Sequence, residues 1–215
     1  KVIYGQDNRL DLFRVLNPDH LEFAKSTAAM ISNSKLTEFN AHEYVIDSMT
    51  LEQTGVCDFE RFANQPVAAS CSGFLVAKDV LVTAGHCIRS QSDCEASSWV
   101  FDYKVDFENQ SEVIVDKENV YSCKSIISRE LNTETQNDYA VIKLTKEVQG
   151  RLPLKINKKS PPKKGDSLMV IGHPSGLPTK VADGASVRSV KDVYLIANLD
   201  TYGGNSGSAV FNMDT

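Results

Sequence analysis

The sequence predicts an all-β protein of the barrel or sandwich kind. From Ala68 onward the chain is mostly short apolar runs split by turn residues, the pattern of strands that repeatedly fold back. Hydrophobic residues make up 41% and charged residues 24% of the 215, the balance of a folded chain with room for one domain or two small ones. There are no internal repeats or low-complexity tracts. In chain order, His20 to Lys25 and Leu51 to Phe62 contain helix formers, so a short helix or loop insertion is expected within 18–65. Ser26 to Ile31, lying between them, is expected as the first barrel strand. Further strand-like runs are Gly73 to Ala77, Val80 to Val82, Trp99 to Phe101, Val113 to Val115, Lys124 to Ile127, Ala140 to Leu144, Ser167 to Ile171 and Tyr194 to Ala197. The basic, proline-containing stretch from Lys155 to Lys164 reads as a linker whose charges are solvated.

A net charge of −5 argues against a nucleic-acid binder, which would present a basic face. No apolar run approaches the roughly 18 residues of a membrane span, so neither nucleic acid nor membrane is an expected partner. No residue pattern calls for a metal or cofactor, and none is expected. The five cysteines, Cys57, Cys71, Cys87, Cys94 and Cys123, are either buried thiols or disulfide partners in an oxidising compartment.

Chemistry concentrates in three motifs. Gly203-Gly204-Asn205-Ser206-Gly207-Ser208 places a serine between glycines, where the backbone can turn sharply and aim its N–H groups at one point. Acyl transfer needs such a nucleophile and donors for the oxyanion that develops. A hydroxyl must be relieved of its proton by a base, and Thr83-Ala84-Gly85-His86-Cys87 supplies an imidazole. The imidazole needs a carboxylate to hold its tautomer, and Asn137-Asp138-Tyr139 opens a strand-like run with one.

The order His86, Asp138, Ser206 is that of chymotrypsin-type enzymes. The stretch from Cys71 to Cys87, with Ser72-Gly73 near its start, resembles the histidine loop of trypsin-like serine proteases. Asp138 to Leu144 resembles their aspartate strand. Gly203 to Ser208 resembles their nucleophile loop, in the form found in the bacterial glutamyl-endopeptidase-like branch, and Val2-Ile3-Tyr4-Gly5 resembles that branch's mature N-terminus. The resemblance implies two six-stranded antiparallel barrels of chymotrypsin type with the site in the cleft between them. Residues 1–154 would form the first barrel, with an N-terminal extension and an insertion, and 155–215 the second. It also implies a secreted or periplasmic serine endopeptidase acting on protein or peptide substrates.

Residue by residue, the resemblance implies an acyl-enzyme on Ser206, with His86 as base, Asp138 orienting it, and the N–H groups of Gly204 and Ser206 as the oxyanion hole. It implies a disulfide between Cys71 and Cys87. Cys94 and Cys123 are the second expected pair, which leaves Cys57 over. Asp200, Thr201 and Gly203 would line the substrate pocket. Asp200, six positions before Ser206, either selects arginine or lysine from the pocket base or is a surface aspartate in a loop of different path, in which case glutamate is the competing preference. His173 is either a turn residue or part of the cleft. Asn205 departs from the trypsin pattern: it carries no charge to pair with a new N-terminal ammonium, so activation by that ion pair is not expected. Only nine residues follow Ser206, which predicts an incomplete second barrel, continued in a second polypeptide or cut short by truncation. The alternative in another functional class is a catalytically inactive protease-like binding or regulatory protein.

Overall fold

The computed structural model describes residues 3–158 and 160–214. Strand β1 (Arg9–Asp11) leads into helix α1 (Pro18–Lys25), which starts where Asn17 accepts the Asp19 N–H at 2.9 Å and Pro18 supplies a preset φ. Then come β2 (Thr27–Ser32), β3 (Leu36–Glu38), β4 (Glu43–Ile46), β5 (Cys71–Ala77) and β6 (Val80–Thr83). Helix α2 (Gln91–Ala96) is closed by a reciprocal capping box between Ser90 and Asp93 and precedes β7 (Ser97–Phe101). Strands β8 (Ile114–Asp116), β9 (Val120–Asn132), β10 (Asn137–Leu144), β11 (Ser167–Gly172), β12 (Lys180–Val190), β13 (Leu195–Ala197) and β14 (Ala209–Asn212) complete the order.

Six strands, in the order β10-β6-β5-β2-β7-β9, close into an antiparallel barrel. Alternation along its strands builds two cores at once. Ala28 and Met30 of β2 and Trp99 and Phe101 of β7 point into the barrel, with Leu75, Leu81, Ile142 and Leu144. Ala29, Ile31 and Val100 point outward, against Ile46 and Val115 of a small sheet ordered β3-β4-β8. Val113 to Val115 thus contributes to a cover over the barrel and not to its wall. Gly73 makes room inside: a Cβ there would overlap the Leu81 side chain and meet Trp99 at 2.6 Å.

The second sheet is an incomplete barrel, ordered β1-β12-β11-β14 with β13 on β12. Helix α1 covers it: Phe23 stacks on Phe211 with ring centroids 4.8 Å apart, beside Met169, Ile171 and Val181. The chain is therefore all-β in architecture, with one closed six-stranded barrel and one open partner. The helix formers divide as follows: 18–25 form α1, whereas 51–62 hold only a short 3-10 turn at Glu52–Thr54, ended by Gly55 at φ +98°. No strand occupies the described part of 145–166, where the linker is expected.

Strand β1 pairs with β12, so the N-terminal residues join the second sheet although they precede the first barrel in sequence. A buried ion pair fixes them there. Lys180 Nζ lies 2.7 Å from Asp11 Oδ1 and also donates to Gln65, whose amide in turn donates to both Asp11 oxygens at 3.1 Å. Of the resembling N-terminal run, Val2 lies outside the described residues, as do Lys1, Lys159 of the linker and Thr215.

Candidate active site

His86 sits in the turn that follows β6, and Asp138 is the second residue of β10. The β6–β10 register pairs Thr83 with Ala140, which places the histidine turn against the start of β10. His86 Nδ1 lies 2.6 Å from Asp138 Oδ2, and the His86 backbone N–H donates to Asp138 Oδ1 at 2.9 Å. Both carboxylate oxygens are thus engaged by one residue. Burial raises the Asp138 pKa, but the bonds from the His86 ring and backbone outweigh it and hold the carboxyl below its usual range. With Nδ1–H given to the carboxylate, the Nε2 lone pair is free to accept a proton.

Two close contacts hold the turn itself. A Cβ on Gly85 would overlap Glu130 O and meet Tyr139 O at 2.9 Å, so only glycine lets the turn lie flat on the β9–β10 hairpin. Arg129 Nε donates to Gly85 O at 2.9 Å. The Cys71–Cys87 disulfide ties the turn to β5, and Cys94–Cys123 ties α2 to β9. Cys57 is a free, exposed thiol.

The nucleophile loop packs on the same strands. Asn205 N–H donates to Tyr202 O at 3.1 Å, closing a turn with Gly204 at φ +97°. A Cβ on Gly207 would overlap Ser72 O and Thr83 Oγ1, atoms of the strands that carry His86. Cys87 Sγ lies 3.8 Å from Ser206 O, a contact and not a hydrogen bond because a disulfide sulfur has no hydrogen. Ser206 therefore lies beside the histidine turn. Among the described residues the His86 ring bonds only to Asp138, and no hydrogen bond joins it to Ser206. Such contacts are often long without substrate and tighten in the Michaelis complex. Gly204 N–H and Ser206 N–H meet no backbone acceptor among the described residues.

The expected pocket residues fare differently. Asp200 is 5% exposed, and its carboxylate accepts the backbone N–H of Tyr4 at 2.8 Å and of Asn8 at 3.0 Å. It is neither a surface aspartate nor an unclaimed anion. Thr201 is half-buried, and Gly203 is exposed with its carbonyl taken by Ser175 N–H at 2.6 Å. Asn205 Oδ1 accepts from Ser208 Oγ at 3.3 Å.

His173 is fully buried, with Nδ1 3.1 Å from Leu177 O. Burial pushes its pKa down to about 3, so the ring is neutral and belongs to the turn rather than to an open cleft. The sequence reading missed what lies under the loop. Ser72 Oγ donates to Gly204 O at 2.8 Å, and Ser72 N–H donates to Ser206 O at 2.8 Å.

A profile of the trypsin-like peptidase domain matches residues 71–215, well over half of the chain and the span that carries all three motifs. No curated protein matches the sequence significantly. Among solved structures, a Glu endopeptidase superposes with a TM-score of 0.59 at 17% identity, over 99% of this chain and 83% of its own. Human heparin binding protein superposes at 0.55 with 15% identity, over 89% of this chain and 76% of its own. A serine endoprotease from Yersinia pestis does so at 0.53 with 16% identity, over 89% of this chain and 51% of its own. At such identities these neighbours establish a shared fold. The domain match over residues 71–215 shows that the chain belongs to the trypsin-like peptidase family.

Proposed function

We propose that the protein is a serine endopeptidase that cleaves peptide bonds through an acyl-enzyme on Ser206. The observation that carries this reading is the double engagement of Asp138 by His86, beside the loop that bears Ser206. His86 Nε2 takes the Ser206 Oγ proton as Oγ attacks the substrate carbonyl carbon. The resulting oxyanion is received by the N–H groups of Gly204 and Ser206. Collapse of the tetrahedral intermediate expels the amine, to which His86 Nε2 returns the proton. A water, deprotonated by the same nitrogen, then attacks the acyl-enzyme and frees Ser206. The test is labelling by a serine-directed fluorophosphonate and hydrolysis of a peptide amide, each compared with Ser206→Ala. Wild type that neither labels nor hydrolyses better than Ser206→Ala refutes the reading in favour of a protease-like binding protein.

Asp200 does not support a preference for arginine or lysine, because its buried carboxylate already accepts two backbone N–H groups. We assign it to anchoring the N-terminal segment. The likeness to a Glu endopeptidase brings glutamate as the competing preference, and substrates with Arg, Lys, Glu or Phe before the cleaved bond separate the cases. The 1–154 and 155–215 division remains our domain proposal, with β1 lent to the second unit. The open edge of β14 suits further strands, from the same protein or from a second polypeptide. Two disulfides favour an oxidising compartment, secreted or periplasmic.

A further inference from the structure

We infer that Ser72 is a positioning residue for the oxyanion hole, acting through a bridge from β5 to the carbonyls of the nucleophile loop. The inference rests on the serine-peptidase reading above. A planar trans peptide carries its C=O and N–H on opposite sides, so whatever holds a carbonyl decides where the neighbouring amide points. In the nucleophile loop the carbonyls are held one after another. Gly203 O takes the Ser175 N–H at 2.6 Å, which turns the Gly204 N–H the other way. Gly204 O takes the Ser72 hydroxyl at 2.8 Å, and Ser206 O takes the Ser72 N–H at 2.8 Å. These bonds fix the 204–205 and 206–207 peptide planes, whose own N–H groups are those of Asn205 and Gly207; the two planes flank the 205–206 plane, so Ser72 holds the Ser206 N–H in place from both sides.

The direction of the Ser72 hydroxyl is decided by its other neighbour. His173 N–H donates to Ser72 Oγ at 3.0 Å. The oxygen therefore receives one hydrogen, and its own single hydrogen is left for Gly204 O. Ser72 is fully buried, so no water competes for either bond. The Ser72 carbonyl is itself fixed by Thr83 Oγ1 at 2.7 Å, on the strand that leads to His86.

The same residues explain why the loop after β11 bends as it does. Ser175 holds φ +58°, a left-handed conformation uncommon outside glycine, and its N–H donates to Gly203 O. A Cβ on Gly204 would overlap His173 O and meet Gly176 N at 2.8 Å, so the oxyanion turn rests directly on the 173–176 turn. Among the described residues, Ser72 is the one side chain whose hydrogen bonds join β5, the 173–176 turn and the nucleophile loop. It touches neither the substrate nor the reacting atoms in the proposed mechanism.

The test is Ser72→Ala in the otherwise intact chain, with Ser206→Ala as the reference for residual activity and a denaturant melt to establish folding. Losing an oxyanion donor costs on the order of 100-fold, so a donor that is misaimed but present is expected to cost roughly 10-fold or more in kcat. KM and the pH midpoint of kcat/KM should stay at wild-type values, because the His86–Asp138 pair and the substrate contacts are untouched. Fluorophosphonate labelling should slow by a similar factor. If Ser72→Ala does not fold, Ser72→Cys, close in volume but a weak donor, is held to the same split of kcat from KM. Wild-type kcat in a folded variant, or a fall in kcat with an equal rise in KM, overturns the inference. A wild type no more active than Ser206→Ala overturns the peptidase reading instead, so the two failures are distinguishable.

Discussion

Replacing Asp200 separates two roles that predict opposite results. If Asp200 anchors the N-terminal segment, Asp200→Ala strands the N–H groups of Tyr4 and Asn8, which now reach a buried carboxylate at 2.8 and 3.0 Å. A hydrogen bond to a charged group contributes about 1.5–3 kcal/mol net. Tyr4 is 50% exposed, and water can recover part of its loss. Two such bonds, discounted for that recovery, amount to about 2–4 kcal/mol, or roughly 4–15 °C in Tm for a chain of this size. Asp200→Asn is expected to do almost as badly, because its amide NH₂ must face one of the two N–H donors. The assay is urea unfolding of both variants, with hydrolysis of Arg, Lys, Glu and Phe substrates measured on the folded fraction. The expected result is a loss of stability with substrate preference unchanged. Stability within about 0.5 kcal/mol of wild type, together with a selective loss of cleavage after Arg and Lys, refutes the anchoring role and restores Asp200 to the pocket base.

Two other substitutions test the site and its support. Asp138→Asn presents an amide donor to His86 Nδ1, which favours the tautomer with hydrogen on Nε2 and removes the base; kcat should fall by about 10⁴ with KM little changed, and a loss under tenfold in steady-state hydrolysis counts against the assignment. His173 is held neutral with its pKa near 3, whereas the unfolded chain takes up a proton as pH falls through about 6.5. Its contribution is therefore fully present above about pH 6.5 and is lost toward acid, with a slope approaching about 1.4 kcal/mol per pH unit. His173→Asn keeps a donor for Leu177 O but does not titrate, so urea midpoints measured between pH 7 and 4.5 should fall less steeply than in wild type; parallel profiles would contradict the buried neutral imidazole.

The candidate site was legible because the chemistry proposed for it restricts the side chains. A base, an orienting carboxylate and a glycine-flanked serine each use one of a few residue types, so His86, Asp138 and Ser206 stand out of the sequence. The barrel strands were legible as apolar runs, but their facing was not. Thr27 to Ser32 shows no alternation because β2 is buried on both sides, Ala28 and Met30 within the barrel and Ala29 and Ile31 under the small sheet. Helix α2 has a readable capping box at Ser90 and Asp93, yet its six residues are too few to show a helical period.

Strand β1 was hidden by its composition. Its charged residues Arg9 and Asp11 give no apolar signal, yet both are buried, Arg9 over the rings of Phe62 and Tyr202 and Asp11 on Lys180. Partners so distant in sequence leave no local signal. Asp200 failed to read for a related reason: its partners are backbone amides, which every residue but proline possesses. The oxyanion turn combines both situations. Gly204 is recognisable because a side chain there would strike His173 O, whereas the Ser175 N–H that aims its amide through Gly203 O, and the Ser72 hydroxyl that holds its carbonyl, belong to residues with no distinctive pattern. Under the proposed mechanism a chain can therefore keep His86, Asp138 and Ser206 and still lose activity through Ser72, a loss that a search for the triad alone would not detect.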